Sequence, residues 1–331
     1  MRRSGTLVIV IAACALVAAG VAFLEQPAAP RGTLEMAPVG TTMVAHVDVP
    51  ALLASPMWTA YVDDDEGMSR IERLCGQSPL EQLRDADVYV VGTSESPLEH
   101  IAFRARGALD PERLASCVGD VVREDGGGVH EVTIEGVRAL ASDRGDSRAA
   151  FLARDTVVAG DETLVSELIH LAHGTSQPTN DAALARLYGV ALARRDVVIA
   201  AHVPDAWRGA IAHALEDVPD VASALAGAEA VAVGASLAGG GVGLSVSVAC
   251  SRESDAHRLA EAVRAAISNA LSRPLLRLSA AGVALRRVQL EPHGADLLGT
   301  LDLDRDALES LVALIRGQLA EARTARQSES E

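Results

Sequence analysis

The chain has 331 residues, 49% of them apolar but only 2% aromatic, so it is long enough for two ordinary domains packed by alanine, valine and leucine. All 29 basic residues are arginine, and the lack of lysine excludes a P-loop, a lysine Schiff base and a Ser-Lys nucleophile pair. A formal net charge of −16 argues against nucleic acid as a partner, because an acidic surface repels phosphate backbones.

Arg2 and Arg3 precede an uncharged apolar run over residues 7–24 (LVIVIAACALVAAGVAFL). Its length is close to the ~20 residues that span a bilayer. The segment 1–24 is therefore expected to be a transmembrane anchor or an export signal. Basic residues before it and Glu25 after it put the amino terminus in the cytoplasm. Ile11-Ala12-Ala13-Cys14 also resembles a bacterial lipobox, which makes Cys14 a lipidation candidate. An uncleaved anchor, a lipoprotein signal and a cleaved signal remain three alternatives. Each delivers the rest of the chain to an extracytoplasmic place at the bacterial cytoplasmic membrane, facing the periplasm or the cell surface.

Residues 25–40 (EQPAAPRGTLEMAPVG) read as a linker. Beyond it, four short patterns recur in the same order. Ala45-His46-Val47 matches Ala201-His202-Val203, and Val91-Gly92-Thr93-Ser94 matches Val233-Gly234-Ala235-Ser236. Asp110-Pro111-Glu112-Arg113-Leu114 matches Asp255-Ala256-His257-Arg258-Leu259, and Asp161 with Leu168, Ile169 and Leu171 matches Asp304 with Leu311, Val312 and Leu314. Two copies of one α/β unit follow, over 41–179 and 180–325, the second led in by a joining helix over 180–194 with Asn180 as its N-cap. Residues 326–331 form a polar tail expected to be disordered.

Within the first copy a strand is expected over 43–49, then helical turns at 55–58 and 67–76. Ser78-Pro79-Leu80-Glu81 has the capping-box pattern of a further short helix. Strands follow at 87–93 and 100–106, the latter with Ile101, Phe103 and Ala105 on one face. A helix starts at Asp110-Pro111, strands are expected at 130–134, 137–141 and 149–159, and a helix over 161–172 ends at His173-Gly174. The second copy gives strands at 197–203, 230–236, 242–250, 283–290 and 297–303, and helices at 206–215, 255–271 and 305–323. The expected class is α+β: two tandem ferredoxin-like units, each extended by extra strands and a closing helix.

Through VGTTMVAHVDVPALLASP, the DPERL helix start and FLARDTVVAGDETLV, the chain resembles poorly characterised families of exported bacterial α/β proteins. That resemblance implies architecture, and no catalytic residue comes with it.

No residue is read as catalytic or cofactor-binding. His46 and His202, equivalent in the two copies, are either a shared metal or catalytic pair or simply markers of the duplication. His170 and His173 lie three apart on one helix and could supply half of a zinc site. Cys75 and Cys117, each near a helix end, form a candidate disulfide, and Cys250 ends an alternating strand as a buried thiol. Asp302, Asp304 and Asp306 alternate but lack the glycine and glutamate of a calcium loop, so Asp304 reads as a helix N-cap. Gly234-Ala235-Ser236-Leu237-Ala238 misses the nucleophile elbow by its last residue and reads as a strand-end turn. The function expected is non-enzymatic binding or scaffolding in the bacterial envelope, with no cofactor. The partner is an envelope protein or small ligand, met in a groove between the copies, and the amino-terminal segment engages the membrane. The alternative is a ligand- or metal-binding sensor or carrier using histidines from both copies; a third reading is an unrecognised hydrolase.

Overall fold

The computed structural model describes residues 32–55, 58, 66–76, 78–92, 100–192, 196–204, 215, 218–237 and 241–308. The anchor or signal with Cys14, the first part of the linker, helix 206–215 apart from Leu215, and the tail lie outside these residues. No helix among the described residues is long and apolar enough to cross a membrane.

A 3-10 turn, Leu34–Met36, leads into β1 (Thr41–Asp48). Asp48 then caps α1 (Val49–Leu53), its carboxylate accepting from the Ala51 amide at 2.9 Å. Next come α2 (Glu66–Cys75), β2 (Leu83–Val91) and β3 (His100–Gly107). The expected short helix between α2 and β2 is a 3-10 turn, Pro79–Gln82, and Ser78 makes no side-chain cap. Asp110 caps α3 (Pro111–Glu124). Four strands follow: β4 (Val129–Ile134), β5 (Val137–Ser142), β6 (Ser147–Ala153) and β7 (Thr156–Asp161). The last two replace the single strand expected over 149–159, because the chain turns at Arg154-Asp155 and pairs with itself. Asp161 caps α4 (Glu162–His173), which ends at Gly174 in the left-handed conformation (φ 74°).

The joining helix is α5 (Ala182–Ala191), and its N-cap is Asp181 rather than Asn180, with the Asp181 carboxylate on the Leu184 amide at 2.8 Å. The second half contains β8 (Val197–His202), α6 (Pro219–Leu225), β9 (Ala228–Ser236), β10 (Val242–Cys250) and α7 (Glu253–Leu271). It continues with α8 (Pro274–Leu278), α9 (Ala280–Arg287), β11 (Gln289–His293) and β12 (Asp296–Leu303). The strand expected over 283–290 is mostly α9. Val283 and Leu285 alternate as a strand would, but the Ser279 hydroxyl caps the Gly282 amide at 3.2 Å and starts a helix there. The chain is helical again from Arg305, with Asp304 capping the Ala307 amide at 2.9 Å.

The twelve strands make one antiparallel sheet in the order β11-β12-β10-β9-β8-β1-β2-β3-β7-β6-β5-β4. The order departs from the ferredoxin-like expectation. A split βαβ unit places another strand between its first two, whereas here β1 pairs directly with β2, and β8 with β9. The halves meet through β1 and β8, from Met43 opposite Ala201 to Val47 opposite Val197. That seam is a strand ladder and not the groove expected between copies.

Alternating side chains send two apolar sets to opposite faces. Val44, Tyr89, Ala102, Val158, Val198 and Ala200 pack with α4 and α5 into a core that crosses the seam. On the other face Ala86, Ala105 and Val157 pack under α3, and Val248, Cys250 and Leu297 under α6 and α7. Cys75 and Cys117 are joined as a disulfide with a Cα–Cα distance of 4.7 Å, tying α2 to α3. Cys250 is a buried free thiol, and burial, then Asp255 and Glu229, push its ionisation up.

Candidate functional site

Three neighbouring strands carry charge on the face that should be most apolar. Register places His46 of β1 opposite Asp87 of β2, and Asp87 opposite Arg104 of β3. In an antiparallel sheet directly paired residues share a face. The row therefore runs Val198, His46, Asp87, Arg104, Val158 across five strands, beside the buried row Ala200, Val44, Tyr89, Ala102 on the same face. Asp87 is 0% exposed and Arg104 2%. A second pair, Asp85 and Arg106, stands one step along the same strands, joined at 2.5 Å.

Both carboxylate oxygens of Asp87 are engaged. Its Oδ2 accepts from Arg104 Nε at 2.7 Å and is also held by Arg104 Nη2. Its Oδ1 accepts from the Thr33 hydroxyl at 2.7 Å and faces His46 Nδ1 at 2.8 Å. Burial acts to raise the Asp87 carboxyl, but the His46 hydrogen bond, the Arg104 charge and the Thr33 hydroxyl outweigh it and hold it below its ordinary value. A carboxylate only accepts, so the proton between it and His46 sits on Nδ1. Burial also works against the Arg104 guanidinium, and the nearby Tyr89 and Asp87 reverse that and raise it.

What these charges grip is the segment just ahead of β1. Besides Asp87, Thr33 is held by Tyr89, whose hydroxyl donates to the Thr33 carbonyl at 3.0 Å, and by Tyr188 of α5. Arg104 Nη1 reaches the Gly32 carbonyl at 3.4 Å. Burial pushes the Tyr188 phenol up to about 12 and the Tyr89 phenol well above its ordinary value. Both stay neutral donors at any physiological pH.

An oriented His-Asp dyad is half of a nucleophile-activating triad. Thr33, however, lies 3.4 Å from Nδ1, on the aspartate side of the ring, and spends its proton on Asp87. The arrangement is a clasp: it neutralises an internal charge and fixes residues 32 and 33 against the sheet.

The other sequence candidates are dispersed. His202 lies four strand positions from His46 along β1, about 13 Å at the usual rise. One zinc ion needs both nitrogens within about 2.1 Å of it, so the pair cannot share a metal as placed. His202 Nε2 is instead paired with Asp181 Oδ2 at 2.9 Å. His170 Nδ1 contacts the Thr175 hydroxyl at 2.9 Å and its Nε2 faces Glu135 at 3.5 Å, while His173 is exposed at the end of α4. No group of three or more His, Cys, Asp or Glu side chains suited to a metal occurs among the described residues. Gly234 and Ser236 are inside β9, not in a turn, and a Cβ at Gly234 would strike the Ala191 carbonyl at the end of α5. Glycine is there so that the helix can lie close to the strand.

Sequence reading missed Asp87, Arg104 and Thr33. A usable signal was present: β2 reads Asp85-Ala86-Asp87 and β3 reads Arg104-Ala105-Arg106, opposite charges at period two inside apolar strands. Recognising it required knowing that β2 and β3 pair in that register.

No family model matches the chain, and no curated protein matches it. Among solved structures, crystal form III of TP0453 aligns with a TM-score of 0.48 and 10% identity, over 86% of this chain and 99% of that one. Crystal form I of TP0453 gives 0.47 and 9%, over 86% and 98%. Likeness of that depth carries no argument about function.

Proposed function

We propose that the chain is a non-enzymatic protein of the bacterial envelope, exported and held by its amino-terminal segment, which binds or scaffolds a partner on its extended sheet. The observation that carries the reading is how the buried charges are spent. Asp87, Arg104 and His46 are turned inward onto Thr33, in the part of the 25–40 segment that packs into the fold ahead of β1. A clasp there fixes residues 32 and 33 against the sheet.

The two halves are read as copies of one unit. β1 and β8, β2 and β9, β3 and β10, and then β7 and β12 take matching places outward from the seam. The surface for a partner is on the second half. Ile199, Val233 and Val246 form one cross-strand row on β8, β9 and β10 and are 38%, 36% and 38% exposed. Apolar side chains grouped on a sheet face mark contact sites.

A photo-crosslinking residue at Val246 in the full chain, activated in intact cells, tests this. A crosslink to a second envelope protein is expected. Crosslinks only within the chain overturn the partner reading. External protease reaching residues 32–308 only after the membrane is broken from the cytoplasmic side overturns export.

A further inference from the structure

A second feature lies away from the clasp, on the far side of the second half. Between α7, α9 and β11 an open cleft of about 570 Å3 is lined by the aliphatic side chains of Ile267, Leu271, Leu285 and Leu290, with Arg264 and Arg286 among them. That volume falls in the range of small-molecule sites. No lining side chain is aromatic, so a base or sugar ring has no platform to stack on. The walls suit a flexible hydrocarbon chain.

Charge specifies the other end of the ligand. The chain carries 45 carboxylates over 331 residues, yet residues 264–287 hold five arginines and none. Arg264 Nη2 donates to the Leu290 carbonyl at 2.5 Å and Arg286 Nη1 to the Arg277 carbonyl at 2.9 Å. Those acceptors are neutral, so they orient the guanidinium groups without cancelling their charge. Arg264, Arg273, Arg277 and Arg286 are all exposed, and none forms an ion pair with a carboxylate among the described residues. Only Arg287 of the five does, with Asp304 at 2.6 Å. A concentrated positive patch on a protein of net charge −16 is a local inversion, and arginine forks match carboxylate and phosphate oxygens.

We infer that this cleft binds an anionic amphiphile, an acyl chain in the aliphatic trough with its carboxylate or phosphate on Arg264 and Arg286. The site is separate from the Ile199–Val233–Val246 row and does not depend on a protein partner being found there.

The test uses the full chain in phosphatidylcholine nanodiscs with a diazirine-bearing myristate, and peptide mapping of the label. Label on residues 264–290 is expected, displaced by dodecyl phosphate but not by dodecyltrimethylammonium at the same concentration. The Arg264→Gln/Arg286→Gln variant is expected to lose labelling about tenfold, equivalent to about 1.4 kcal/mol of binding free energy. Equal displacement by the cationic amphiphile, unchanged labelling of the variant, or label confined to residues 7–24 each overturns the inference. The cation competition needs no substitution, so it decides the matter even if the variant folds poorly. Replacing the disc lipid by phosphatidylglycerol separates the sources: lost label assigns the site to a bilayer headgroup, retained label to a free single-chain amphiphile, and both keep the ligand chemistry.

Discussion

Asp87 and Arg104 are worth little as a source of stability, because two desolvated charges repay their burial only through good geometry. Their removal one at a time is another matter. Asp87→Asn leaves the Arg104 guanidinium buried without its counter-charge and is expected to cost about 3–5 kcal/mol in denaturant unfolding. Asp87→Leu combined with Arg104→Met is expected to recover most of that loss, and a double-mutant cycle measures the coupling. Acid acts on the same group. The Asp87 carboxyl is held below its ordinary 3.8, so its contribution is complete above about pH 4 and is lost as pH falls through the depressed folded value. Acid titration of stability should show this slope in the native chain and a shallower one in Asp87→Asn. At the alkaline end the sign reverses. Tyr188 is raised from 10.0 to about 12, so its contribution is intact below pH 10 and declines between 10 and 12. Tyr188→Phe should flatten that stretch of the curve, read from thermal melts across the same pH range.

Helices and strands here are held in place by contacts that glycine permits or forbids. At Gly234 a β-carbon would meet the Ala191 carbonyl at the end of α5, whereas at Gly189, inside α5, it would meet nothing within 4 Å. Gly234→Ala is therefore expected to destabilise by about 1–3 kcal/mol and Gly189→Ala to stabilise by about 0.5–1 kcal/mol, opposite signs in paired denaturant melts. The elements most legible in the sequence were those whose ends carry chemical punctuation. Asp110-Pro111 and the pair Asp161 and Gly174 delimit α3 and α4 as the residues suggested. Where punctuation conflicted with periodicity, periodicity misled: Val283 and Leu285 alternate, yet the Ser279 cap makes α9 a helix. At 149–159 the apolar run hid a turn because Arg154-Asp155 lacks glycine or proline. Strand order and the clasp were not legible, since both depend on which strand lies beside which, and no local pattern encodes that.

Across the whole molecule, one covalent link and one strand ladder do most of the joining. The Cys75–Cys117 bridge closes a loop of sequence separation 42 and fastens α2, whose Ile71 packs on Val121 of α3. Non-reducing peptide mapping should recover Cys75 and Cys117 in one linked fragment and Cys250 alone. Reduction is expected to cost about 2–4 kcal/mol. Hydrogen exchange should then quicken over residues 66–75 while β2 and β3 stay protected; uniform quickening would mean the bridge supports the sheet as well. The shared core explains why the halves are not independent: α5 belongs to the second half by position, yet Leu184, Leu187 and Tyr188 pack with Tyr89 and Val44 of the first.

The β1–β8 seam also sets an order of events during synthesis. β1 can pair with β2 as soon as the first half has emerged, but its other side waits for residues 197–201. Throughout that interval the first half presents an open row of amide and carbonyl groups, the template along which chains aggregate. A product ending near residue 194 would keep that row permanently, and β1 of a second copy is the nearest thing to β8 it could find. Early termination in this chain thus exposes a sticky flank in the middle of the sheet, where the finished protein has none.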